Sequence, residues 1–272
     1  MAFKISGFGG THISEKGGMP TYQQERKQIL PRKSVVQIYF PERNMTLSYY
    51  NDQFDLKVGD RVYVDGKMEG HLGLVTNVNY NFKIKLSAFQ KVVAVVDTEV
   101  HGQLYMAGSH FVAFEPDVLP KEQITLWFCV PANEEEEYVF GNDESAFDLD
   151  NLEEMGISAA IAERGHEYHM ENRVCYLCVD GTQGYAIVKG HECYTVEFSY
   201  RDGQISHLVC DCPCSYTCKH EFTVMLQLRE LLEIIAEYYS DEYERTAYFA
   251  AVTKSVLFSF AVDGKKEGGF VL

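Results

Sequence analysis

The sequence predicts an α+β chain in two unlike halves, and three observations carry that prediction. Between residues 35 and 114, short apolar runs alternate with polar residues and are punctuated by turn signals, the pattern of small antiparallel β structure. Between residues 194 and 209, two further alternating runs flank Asp202 and Gly203, a tight hairpin signal. Directly afterwards Phe222, Met225, Leu228, Leu232 and Ile235 recur at the spacing of an amphipathic helix, and the stretch that joins hairpin to helix is packed with cysteines.

Taken in order, residues 1–34 form a basic, glycine-rich arm with Lys4, Lys16, Arg26, Lys27, Arg32 and Lys33, expected to be irregular. Its glycines follow no strand and precede no Gly-Lys-Ser/Thr, so they make no phosphate loop. Residues 35–130 read as a small β-barrel-like domain with strands at Val35 to Phe40, Met45 to Tyr50, Arg61 to Val64, Leu72 to Tyr80, Val92 to Val96, His110 to Phe114 and Ile124 to Val130. Residues 131–150 are an acidic linker containing Glu134 to Glu137, Asp143, Glu144, Asp148 and Asp150; the spacing fits no EF-hand loop. A short helix then opens on an Asp150/Glu153 capping box and closes at Gly165, ahead of His166 and His169. Val174 to Val179 is a strand whose Cys175 and Cys178 face opposite sides and belong to the core. Residues 241–272 extend the second half with a helix over Asp241 to Lys254, capped by Asp241 and Glu244, a strand over Val256 to Val262 and a closing hairpin.

The chemistry concentrates in Cys210, Cys212, Cys218 and His220. The order is Cys-x-Cys, five residues, then Cys-x-His. Thiolate sulfur and imidazole nitrogen are the ligands of a structural tetrahedral zinc, and four of them close the shell, leaving no position for substrate or activated water. One structural Zn²⁺ per chain is therefore expected. Cys214 adds a third thiol in the gap; it is either a spectator or a replacement for Cys210 or Cys212. Two ligands leave a strand end and two open a helix, so the metal would clamp a β-hairpin onto a helix as a ββα unit.

These residues resemble the SWIM-type zinc finger, in particular the module that accompanies Swi/Snf-class helicases. The features that carry the resemblance are Arg164 with Gly165, Tyr168, Val174, Tyr194 to Val196, Cys212 with Pro213, and Cys218 through His220, spanning roughly residues 157–232. The resemblance implies the same four ligands and a module over 151–240 that contacts DNA or a partner protein, with a helicase or another nucleic-acid-processing protein as the partner. Lys57 to Val64 followed by Gly73 to Val75 is similar to small β-barrel modules of some bacterial replication and repair proteins, which implies a nucleic-acid contact there too.

Charge limits that second reading. The chain of 272 residues carries a net charge of −16. By segment the balance is +4 over 1–36, −3 over 37–120, −10 over 121–164 and −7 thereafter. Three thiolates around one Zn²⁺ add a further negative charge, so the zinc module offers no positive field to phosphate. Direct DNA or RNA binding, through Arg26, Lys27, Arg32, Lys33 and Lys219, is the alternative to a protein–protein adaptor. No Gly-x-Ser-x-Gly elbow, Walker loop, dinucleotide fingerprint or His-Glu-x-x-His helix is present, so neither enzymatic activity nor a small-molecule substrate is expected. No apolar run reaches the roughly 18 residues of a membrane span. The expectation is a soluble, cytoplasmic chain with reduced thiols.

Overall fold

The computed structural model describes residues 31–129, 141 and 145–262. It is a mixed α/β structure built on two antiparallel sheets. The arm as far as residue 30, most of the acidic linker and the closing hairpin after residue 262 lie outside the described residues.

The first sheet has five strands: β1 (Ser34–Phe40), β2 (Met45–Asn51), β3 (Arg61–Val64), β4 (Gly73–Asn79) and β5 (Val92–Val96), in the order β2-β1-β4-β3-β5. Strand β1 buries one face: its Val36, Ile38 and Phe40 join Val62, Val64, Val75 and Val92 in one core, while Gln37 between them is exposed; Tyr63, Ala94 and Val96 of β3 and β5 belong to a second core. The expected barrel does not close. Edge strand β2 meets only the residue before edge strand β5, at the isolated bridge Tyr50 to Lys91, and no ladder forms between them among the described residues.

The second sheet has eight strands, drawn from described residues between 105 and 253. Its elements, in chain order, are β6 (Tyr105–Ala107), β7 (His110–Ala113), α1 (Lys121–Phe128), β8 (Ala146–Asp148), α2 (Ala159–Met170), β9 (Val174–Asp180), β10 (Gln183–Lys189), β11 (Cys193–Arg201), β12 (Gln204–Cys210), α3 (Lys219–Tyr238), α4 (Ser240–Thr246), β13 (Tyr248–Thr253) and α5 (Lys254–Leu257). The strand order is β6-β7-β13-β9-β10-β11-β12-β8. Central strands serve two cores at once. Along β13, Phe249 and Ala251 pack into the core beneath α3, whereas Tyr248, Ala250 and Val252 pack into the core shared with α1 and the first sheet.

Several expectations are corrected here. Ile124 to Val130 is not a strand: α1 occupies Lys121–Phe128, with Pro120 at its N-cap, Glu122 in the first turn and buried Ile124 and Trp127 on one face. Gly165 does not end a helix; it lies inside α2, which Ser158 caps by accepting the Ile161 amide, and the Asp150/Glu153 box does not form. His166 and His169 are consequently helical, His166 edge-on to Phe222 and His169 within 3.3 Å of Glu230. The helix expected over Asp241 to Lys254 is only α4, with no side-chain cap, because Ala247 turns left-handed and Tyr248–Thr253 enters the sheet between β7 and β9. Val256 to Val262 is helical, not extended. The thiols are not all reduced: the C-terminal end of α1 meets the start of β11, and Cys129 and Cys193 form a disulfide with Cα atoms 6.0 Å apart. Cys175 and Cys178 are both buried, as expected. Among the described residues no helix is long and apolar enough to cross a membrane.

Candidate metal centre

The hairpin β11–β12 turns on Asp202 (φ 50°) and Gly203 (φ 84°), the left-handed pair that a tight antiparallel connection requires. It delivers Cys210 as the last residue of β12. Asp211 then anchors the turn that follows, accepting the Thr195 amide at 2.9 Å and the Thr195 hydroxyl at 2.7 Å. Cys218 is the N-cap of α3 and His220 lies in its first turn, so strand end and helix start face one another.

The donor atoms of Cys210, Cys212, Cys218 and His220 all lie within 4.8 Å of one another, and Nδ1 of His220 is 3.7 Å from the Cys210 sulfur. Cys212, Cys218 and His220 are buried and Cys210 half-buried. This is a set of donors that can hold a metal ion. Exposed Cys214 stands outside it.

Backbone amides are already aimed at the sulfurs. The Cys212 N–H points at the Cys210 sulfur, the Cys214 N–H at Cys212 and the Glu221 N–H at Cys218. Such donors stabilise thiolate over thiol. Without a cation the three sulfurs cannot all ionise. The Cys210 thiol donates to Cys218, which holds Cys218 down and pushes Cys210 well up, while burial pushes Cys212 up. A bound divalent ion would displace the remaining thiol protons. Around this set, Glu221 accepts the Cys218 amide at 2.6 Å, closing the helix start. Burial, then the charge on Cys218, pushes the Glu221 carboxyl up to about 8.

The imidazole of His220 is held by rings. Tyr194 stacks on it at 4.5 Å and Tyr168 of α2 leans on it at 5.7 Å. Its Nε2 is buried without a hydrogen-bond partner among the described residues, so stacking, not a carboxylate, sets the orientation. Sequence reasoning missed Asp211 and Glu221 as supports; the spacing Cys218-x-x-Glu221 is a capping-box signal that could have found the second.

The other residues expected to bind do not gather here. Lys219 turns back over the Tyr168 ring at 4.8 Å. Arg32 and Lys33 lie at the entry to β1 in the other sheet, Arg32 with its guanidinium 4.0 Å above Tyr80. Arg26 and Lys27 lie outside the described residues. No protein-family model, curated protein or solved structure matches this chain.

Proposed function

We propose that this chain is a non-enzymatic interaction protein in which one structural zinc staples β11, β12 and α3 into a ββα module of the SWIM type, and that the module docks a protein of a nucleic-acid-processing assembly. The observation that carries the reading is the closed Cys3His donor set with an amide aimed at each sulfur. Sulfur-rich tetrahedral sets suit zinc, and a saturated shell does no chemistry. What the metal would hold in place is the Asp211–Thr217 loop, where Tyr216 is 87% exposed. Beside that loop opens a cleft of mixed charge, lined by Glu192, Glu197 and Asp211 and by Lys121 and Lys189, with Lys121 3.5 Å from Glu197; it could receive a polar segment of a partner protein.

The test is metal content followed by capture. Purified protein is expected to carry about one zinc; Cys218→Ser and His220→Ala should lose it and Cys214→Ser keep it. A partner retained by the wild-type chain after nuclease treatment, and lost with Cys218→Ser, supports the adaptor reading. Zinc-free protein of unchanged stability would sink it, and a partner that nuclease removes would transfer the function to nucleic-acid binding.

A further inference from the structure

A second surface, at the opposite extreme of charge from the zinc module, lies at one end of the five-stranded sheet. Val35 pairs with Tyr50 on one side and with Asn79 on the other, so the start of β1, the end of β2 and the end of β4 share one row. The chain enters that row through Arg32 and Lys33 and leaves it through Tyr80, Asn81, Phe82, Lys83 and Lys85. From residue 78 to residue 91 there are lysines at 83, 85 and 91 and no carboxylate, an exception in a chain of net charge −16.

The side chains are arranged for contact. Arg32, Lys33, Lys83 and Lys85 are exposed, and none forms an ion pair among the described residues. Asp52, just past the end of β2, pairs with the Lys91 ammonium at 3.2 Å. Tyr80 is 38% exposed with one face under Arg32, and half-buried Phe82 is fixed edge-on to Tyr50 at 6.1 Å. Exposed cations without carboxylate partners, interleaved with rings at the surface, are what a flexible polyanion with stackable bases requires. A duplex hides its base faces, and an acidic peptide has no use for the rings.

We propose that this end of the first sheet binds single-stranded nucleic acid, with Arg32, Lys33, Lys83 and Lys85 on phosphates and Tyr80 and Phe82 against bases. It is independent of the metal cluster, so Cys218→Ser should bind as wild type and failure of either reading is seen separately. The experiment is fluorescence anisotropy on the full chain with labelled oligo-dT and oligo-U of about 20 nucleotides, longer than the roughly 4–16 that one small β domain covers. At least one of the two should bind. Lys33→Gln/Lys83→Gln/Lys85→Gln should flatten the log–log salt slope by about 2, at about 0.7 per phosphate, and Tyr80→Ala should weaken binding about five-fold or more. Arg164→Gln/Lys189→Gln/Arg201→Gln, in the other sheet's half, should bind as wild type. The proposal is overturned if neither oligonucleotide binds at low salt, if the lysine variant binds unchanged, if Arg26→Gln/Lys27→Gln alone removes all binding, or if duplex or polyglutamate competes as well as the single strand.

Discussion

The two sheets bury themselves differently. Strand β1 has one core beneath it, so its buried and more exposed residues alternate; only β3 and β5, through Tyr63, Ala94 and Val96, also reach the core shared with the second sheet. Strands β10 and β13 stand between two cores, and nearly every residue along them is buried. At the C-terminal end of β12, where Val209 is exposed and Cys210 half-buried, the Cys/His cluster brings the strand end against the start of α3. The middle of the second sheet rests on burial alone; at this strand end a metal would add to it.

Removing the metal should therefore divide the molecule. Structural zinc in finger peptides contributes about 10–16 kcal/mol of apparent binding that is also folding free energy. Here Phe222, Met225, Leu228 and Leu231 keep α3 anchored in an apolar core, so the loss should be local. With chelator or Cys218→Ser, amide exchange is expected to rise across residues 194–222, while residues 34–96 keep their protection. Equal loss in both sheets would break the comparison, because it would make the first sheet dependent on the metal as well.

The same difference decides what could be read from the sequence. β1 was legible because alternation marks a one-sided strand, β3 and β5 because short apolar, β-branched runs stand between turn signals, and the hairpin from Asp202 and Gly203. The candidate metal donors were legible because all four sit within residues 210–220. β13 was read as helix because Tyr248–Thr253 serves two cores and carries no alternation. α1 was read as strand because Ile124, Thr125, Trp127 and Phe128 are strand-type residues; Pro120 and the burial of Ile124 with Trp127 on one helical face outweigh that propensity. Which long-range segments would meet, β7 with β13 or Cys129 with Cys193, leaves no local trace.

A smaller effect tests the two-core sheet by pH. His110 in β7 is fully buried, with Nε2 donating to the Val174 carbonyl at 3.0 Å and Nδ1 accepting from Ser109 at 3.0 Å. Burial lowers it to about 4, from an ordinary value of 6.5. The folded state thus holds this ring neutral where the unfolded chain would protonate it. Its contribution is complete above pH 6.5 and is lost as pH falls toward 4, by up to about 3 kcal/mol at 1.36 kcal/mol per pH unit. Urea midpoints between pH 7 and pH 4.5 should fall more steeply for the wild type than for His110→Gln. Parallel curves would show that the ring is not held neutral.

The smallest expected effect sets two opposing magnitudes against each other at the crossing of α2 and α3. Replacing a mid-helix glycine by alanine ordinarily favours the helix by about 1 kcal/mol. At Gly165 the added Cβ would lie 2.5 Å from Cδ1 of Phe222 and 3.4 Å from the Lys219 carbonyl oxygen. Phe222 is buried, Thr223 donates to the Gly165 carbonyl at 2.9 Å, and the contact is with the ring's inner edge, so neither helix can yield without moving the other. Overpacking of this kind costs about 1–3 kcal/mol, which exceeds the propensity gain. Gly165→Ala should lower the urea midpoint by the equivalent of about 1 kcal/mol, and because α3 begins at Cys218 it should weaken zinc retention in a chelator competition as well. A variant more stable than wild type would mean that the close approach of the two helices is not what keeps glycine at this position.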